Sequence, residues 1–170
     1  MPNSASTVKK QNRKRSGEAQ TMLRHWREAV PNDRLAHLVR DASRAFLRAL
    51  QVRLAEHDVP FGHWAFLRIL WSQDGVTQKQ LSDEAGVMEP TTFTAVKAME
   101  ANGWIERRQM EGNRKNMHVF LTPLGRELEA KLVPLAQKTN QVGIAGISAN
   151  DIAITRKSLL TIIANLAADQ

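Results

Sequence analysis

Glu89, Pro90, Thr91, Phe93, Thr94 and Lys97 fall on one side of a helical wheel drawn through EPTTFTAVKAMEA, and Thr92, Ala95, Val96 and Met99 fall on the other. The first group offers hydroxyls, an apolar ring, one cation and one acid. Threonine hydroxyls can reach base edges or phosphates, and an apolar side chain can meet a thymine methyl, so this face suits the major groove of a duplex. Farther along, a polar loop with Gly112, Asn113, Arg114 and Lys115 carries two cations at its tip, with Arg107 and Arg108 at its base. An arginine on such a tip can enter a minor groove, whose narrow form concentrates negative potential.

These residues need a particular frame to act together. Thr77 followed by Gln80 predicts a capping box that starts a first helix, with Leu81 and Ala85 facing inward. Gly86 ends that helix at positive φ, and Val87 is expected to plug the turn. The second helix begins near Glu89, with Pro90 in its first turn where a missing N–H costs nothing. Asn102 and Gly103 close it. Trp104 to Gln109 and Met117 to Leu121 then read as two strands, with Val119 and Leu121 on one face and His118 and Phe120 on the other. The predicted lobe is a helix-turn-helix with a β-wing, and its candidate DNA contacts are Thr77, Gln78, Pro90, Thr91, Phe93, Thr94, Lys97, Arg107, Arg114 and Lys115. A lone basic hairpin is a common solubilising feature; the ordered set of capped helix, glycine turn, second helix and basic hairpin is far more specific.

The stretches LSDEAGVMEPTTFTAVKAMEANGWIERR and GNRKNMHVFLTPLG resemble the MarR family of winged-helix transcriptional regulators, and the likeness extends less specifically from about Asp33 to Leu166. The family pattern is matched by Leu81, by Glu100 with Gly103, by Glu106 to Arg108, by the wing, and by Leu121 to Gly125. The resemblance implies a homodimer on a pseudo-palindromic operator, usually a repressor that releases double-stranded DNA when a small ligand binds. Two departures stand out. The wing reads Asn113-Arg114-Lys115 where the family commonly has Asp-Arg-Arg, so the brace loses its ion pair. The recognition helix exposes Lys97 as its one cation, with Glu89 at its start, which moves more of the electrostatic affinity to the wing and elsewhere.

A chain of 170 residues, 42% hydrophobic, can build one ordinary core with a peripheral extension. The fold class expected is mainly α with a small β-wing. The winged-helix lobe covers about 61–122, dimerisation helices about 32–57 and 123–168, and together they make a domain over 32–170. No apolar run is long enough to span a bilayer and no signal segment follows the N-terminal charge, so a cytoplasmic protein with no membrane partner is expected. Cysteine is absent, which excludes disulfides, thiolate metal sites and thiol-based sensing.

The net charge is +7, and Lys9, Lys10, Arg13, Lys14 and Arg15 precede the first acid, Glu18. Residues 1–17 therefore read as a disordered basic tail, either an arm that follows phosphates or a solubilising extension. Met22, Leu23, Trp26 and Ala29 mark a short amphipathic helix within 18–31. Asn32 or Asp33 caps the next helix, whose predicted core stripe is Leu35, Leu38, Val39, Ala42, Phe46, Leu50 and Leu54.

FGHWAFLRILW is apolar nearly all round and should be buried on most sides. His63 and Arg68 interrupt it. Each alone reads as a group hydrogen-bonded across the core or lying at its lip. The other reading is a small-molecule site, with Trp64 stacking an aromatic ring while Arg44, His63 or Arg68 meets a carboxylate. With what the family often senses, this points to an aromatic acid or its thioester. After Thr122 and Pro123 start another helix, Leu124, Leu128, Leu132 and Leu135 line one face and Pro134 should kink it. Ser148 with Asp151 caps a last helix bearing Ile152, Leu159, Ile162, Ile163 and Leu166, more apolar surface than a small lobe covers, which a second chain could bury.

No phosphate loop, nucleophile elbow or cofactor motif is present, so an enzyme is not expected, nor a cofactor. Two other readings stand beside the regulator. A winged helix can serve as a protein-interaction module without operator preference, and Glu56, His57 and His63 could meet to bind a sensed metal.

Overall fold

The computed structural model describes residues 23–24, 35–110 and 113–169, with side chains for all of these except 113–116. The basic tail, Trp26 with most of its amphipathic helix, the Asn32 or Asp33 cap and the Glu111-Gly112 connection lie outside the described residues, as do the side chains of Arg114 and Lys115. The elements run α1 (Leu35–Ala55), α2 (Phe61–Ser72), β1 (Val76–Thr77), α3 (Gln78–Ala85), α4 (Glu89–Ala101), β2 (Ile105–Met110), β3 (Asn113–Leu121), α5 (Pro123–Gly143) and α6 (Ala149–Ala168). The chain divides into two compact units, 1–45 and 46–170, and α1 begins in the first and ends in the second.

In the first unit, the described part of α1 is solvent-facing, with Leu35, Leu38 and Val39 exposed and Arg40 paired to Asp41. The predicted stripe along α1 is therefore corrected: only Leu50 and Leu54 are buried, and Phe46 is also exposed. The core of the second unit draws on those two leucines.

That core centres on α2, which contributes Trp64, Phe66, Leu67 and Leu70. Leu54, Leu67, Leu70, Leu81, Met99 and Leu132 are fully buried, each worth about 1.5–3 kcal/mol relative to exposure. Three antiparallel strands, in the order β1-β3-β2, close one side, with Val76 opposite Val119 and Arg107 opposite Val119 from the other edge. The sequence reading contains two strands. β1 escapes it because a two-residue strand shows no alternation; its identity comes from pairing with β3.

Helix α5 starts as expected, with Thr122 Oγ1 accepting from Gly125 N at 3.1 Å and Pro123 in the first turn. It continues through Pro134 as one helix, burying Leu128 and Leu132 but leaving Leu124 exposed, which corrects the predicted face. Ser148 caps α6 by accepting from Asp151 N, and no side chain of α6 is buried. Among the described residues no helix is long and apolar enough to cross a membrane, and no three His, Asp or Glu side chains gather to hold a metal ion.

Candidate nucleic-acid interface

Helix α3 opens on a complete capping box: Thr77 Oγ1 accepts from Gln80 N at 3.2 Å, and Gln80 Oε1 accepts from Thr77 N at 2.8 Å. The Thr77 hydroxyl also donates to Gln80 Oε1 at 2.9 Å, so its donor is committed within the helix rather than free for phosphate. Gln78 beside it is half-buried. Gly86 ends α3 at φ 64°, where a side chain would be strained. The turn that follows is a correction. Val87 is exposed, and Ser82 fills the turn instead, buried and donating from Oγ to Val87 O at 2.6 Å. A hydroxyl can satisfy the turn's carbonyl, which an apolar plug cannot.

Helix α4 buries Thr92, Ala95, Val96 and Met99 and leaves Glu89, Pro90, Thr91, Phe93, Thr94 and Lys97 exposed. The exposed set is partly pre-ordered. Lys97 Nζ stands 5.0 Å from the Phe93 ring centroid, and Thr94 Oγ1 donates to Pro90 O at 3.0 Å. Sequence reasoning missed Met88, the N-cap residue, which is 76% exposed. Its place at the helix start, two residues before Pro90, is the signal for it.

The hairpin differs from expectation in one respect. Pairing continues to Met110 opposite Asn113, with an irregularity after Gln109, so Asn113, Arg114 and Lys115 lie in strand β3 and not in a loop. Only two residues, Glu111 and Gly112, lie between β2 and β3 in the sequence. Arg107 also departs from the role of a free phosphate ligand. Its Nε and Nη2 donate to Glu100 Oε2 at 3.0 and 2.7 Å, and its backbone N donates to Glu100 Oε1 at 3.3 Å. This pair ties the end of α4 to the first wing strand. The Arg107 guanidinium holds the Glu100 carboxyl below its usual range, so the tie persists above the ordinary carboxylate pKa and is lost as pH falls through the lowered one. Arg108 lies 4.0 Å over the Phe120 ring, with its Nε 3.7 Å from Glu106.

The small-molecule candidates lie on two units, Arg44 on α1 in the first and His63, Trp64 and Arg68 on α2 in the second. Arg44 is exposed in the first unit. Arg68 is exposed on α2. Trp64 is buried and packs edge-on against Trp71 with centroids 5.8 Å apart, so it belongs to the core and offers no open face for a ligand ring. His63 sits edge-on to Trp104 at 5.8 Å, and among the described residues its Nδ1 has no hydrogen-bond partner, contrary to a bond across the core.

Burial pushes the His63 pKa down, favouring the neutral ring. A folded pKa below the unfolded one gives stability that is present above about pH 6.5 and lost as pH falls through the folded value. The urea midpoint of the natural chain should therefore drop more between pH 7.5 and pH 5 than that of His63→Phe. Equal drops would remove His63 from the acid sensitivity.

A capped helix, a glycine turn, a second helix with a free polar and apolar face, and an antiparallel hairpin define a winged helix-turn-helix protein. More particularly, residues 62–117 match the MarR family model. The chain is 26% identical over 135 residues, 79% of its length, to the HTH-type transcriptional regulator TtmR of Methylorubrum extorquens. The chain spans 66% of the length of TtmR and 65% of that of a second curated relative. Its fold matches the transcriptional regulator PA3341 with a TM-score of 0.69 at 28% identity, covering 78% of this chain and 98% of that one. It also matches a Listeria monocytogenes MarR-family regulator solved with a 26mer DNA, with a TM-score of 0.70 at 24% identity over 79% of this chain and 90% of that one. The family and these relatives are transcriptional regulators, not enzymes.

Proposed function

We propose that this chain is a sequence-specific, double-stranded-DNA-binding transcriptional regulator, acting in the cytoplasm as a homodimeric repressor on a pseudo-palindromic operator. The observation that carries the reading is the division of α4, which buries Thr92, Ala95, Val96 and Met99 and thereby fixes Thr91, Phe93, Thr94 and Lys97 on its open face. Helix α4 reads the major groove, Gln78 lies at the backbone, and Arg114 and Lys115 of the wing hold the minor groove. Thr77 and Arg107 serve by positioning, the first through the cap and the second through Glu100.

Dimerisation is supported by apolar surface that the single chain leaves open: Leu160, Ile163 and Leu166 on α6 are each more than half exposed. A second copy covers such surface and sets two recognition helices for half-sites about one helical turn apart. The effector in this reading is an aromatic carboxylate or its thioester, for which exposed Arg68 supplies a cation. Its binding biases a pre-existing equilibrium in the spacing of the two lobes.

The test is a footprint of the purified chain on the DNA upstream of its own gene, with a scrambled duplex as control. Two symmetric protected half-sites are expected, and Arg114→Ala should weaken binding about tenfold. Uniform or absent protection would instead favour a winged helix that serves a protein partner.

A further inference from the structure

We infer that α4 discriminates operator sequence chiefly through thymine C5-methyl groups, met by Met88, Pro90 and Phe93. This rests on the DNA-binding reading above and names what the binding face selects.

The polar inventory of α4 is thin. From Glu89 to Ala101 there is no Arg, Asn or Gln, the residues that most often make bidentate pairs with guanine and adenine. Glu100 is committed to Arg107. The Thr94 hydroxyl hydrogen is given to Pro90 O, and Lys97 is drawn to the Phe93 ring. Glu89, Thr91 and Lys97 remain, a single carboxylate, a single free hydroxyl and a single cation.

The apolar inventory is large for an exposed helix start. Met88 at the N-cap is 76% exposed and Phe93 is 43% exposed, with Pro90 between them. Pro90 and Phe93 are three residues apart and share a face with Thr94 and Lys97. The N-terminal part of a recognition helix is the part that meets base edges. In the major groove the one apolar feature of those edges is the thymine methyl. Lys97, four residues beyond Phe93, places a cation beside this apolar group, as a phosphate-lined groove requires. Burying one methyl against such side chains is worth about a fourfold change in affinity, so two half-sites give about tenfold or more.

The experiment enriches duplexes from a random-core pool with the full chain, then resynthesises the most enriched duplex with thymine and with uracil throughout. Uracil pairs identically and lacks only the methyl. The thymine duplex is expected to bind about tenfold tighter at the same salt, and Met88→Ala and Phe93→Ala, which remove exposed side chains and leave the core intact, should shrink that ratio. Equal binding of the two duplexes would overturn the inference while leaving the regulator reading standing. A thymine preference unchanged in both variants would overturn it too, because the methyls would be read elsewhere. If no duplex is enriched, the inference falls together with the DNA-binding reading.

Discussion

Gly125→Ala is expected to destabilise the fold by about 3 kcal/mol or more, seen as a large drop in the urea midpoint. Gly125 is buried in the first turn of α5, and an added Cβ would overlap the Trp104 carbonyl oxygen and press on Leu121 Cδ2. That carbonyl cannot swing aside, since it accepts from Thr122 N at 3.0 Å. Nor can the glycine retreat freely. Its N–H donates to Thr122 Oγ1 at 3.1 Å, its carbonyl accepts from Trp71 Nε1 at 2.9 Å, and the same Thr122 hydroxyl donates to Gly103 O at 2.6 Å. Relief of the overlap must break bonds that join α5 to α2 and to Gly103, just past the end of α4. Gly62→Ala is the control: a Cβ there meets nothing within 4 Å, so that change should be neutral or stabilise by up to about 1 kcal/mol. Similar effects of the two substitutions would mean that the α5 junction is not tightly packed.

The winged helix was legible because its signals are local. The Thr77–Gln80 box, Gly86, Pro90 and Gly103 each dictate backbone geometry within a few residues, and the helical spacing of Thr92, Ala95, Val96 and Met99 separates the buried from the open face of α4. What was not legible depends on contacts distant in sequence or on competition for a group. Pairing of Val76 with Val119 makes β1, which no two-residue pattern announces. Arg107 reads as a free cation until Glu100, seven residues earlier, is found to hold it. Trp64 reads as part of a buried helix or as a ligand platform; its burial beside Trp71 speaks for the core. Amphipathic spacing in α1 and α6 identifies an apolar stripe without saying what covers it, and within this chain most of those side chains stay exposed.

Operator affinity is expected to fall about a thousandfold between 50 and 200 mM salt if Lys97, Arg114 and Lys115 are the cations that meet phosphate, as proposed. Lys97 is exposed on α4, and Arg114 and Lys115 lie on β3. Arg107 is held by Glu100, and Arg108 is shared between Phe120 and Glu106. Three cations per protomer, six in the proposed dimer, give a slope of about −5 in a plot of log affinity against log salt. Glu100→Ala should release Arg107 and steepen that slope by up to about two for the dimer, even as it loosens the tie between α4 and the wing. Deleting residues 1–17, with Lys9, Lys10, Arg13, Lys14 and Arg15, separates the two roles open to that segment. An arm on phosphates makes the full chain steeper than about −5 and the shortened chain returns to it, whereas a solubilising extension leaves the slope unchanged. A slope near zero in both would place none of these cations on phosphate, and the exposed face of α4 would then have to be matched to a protein surface.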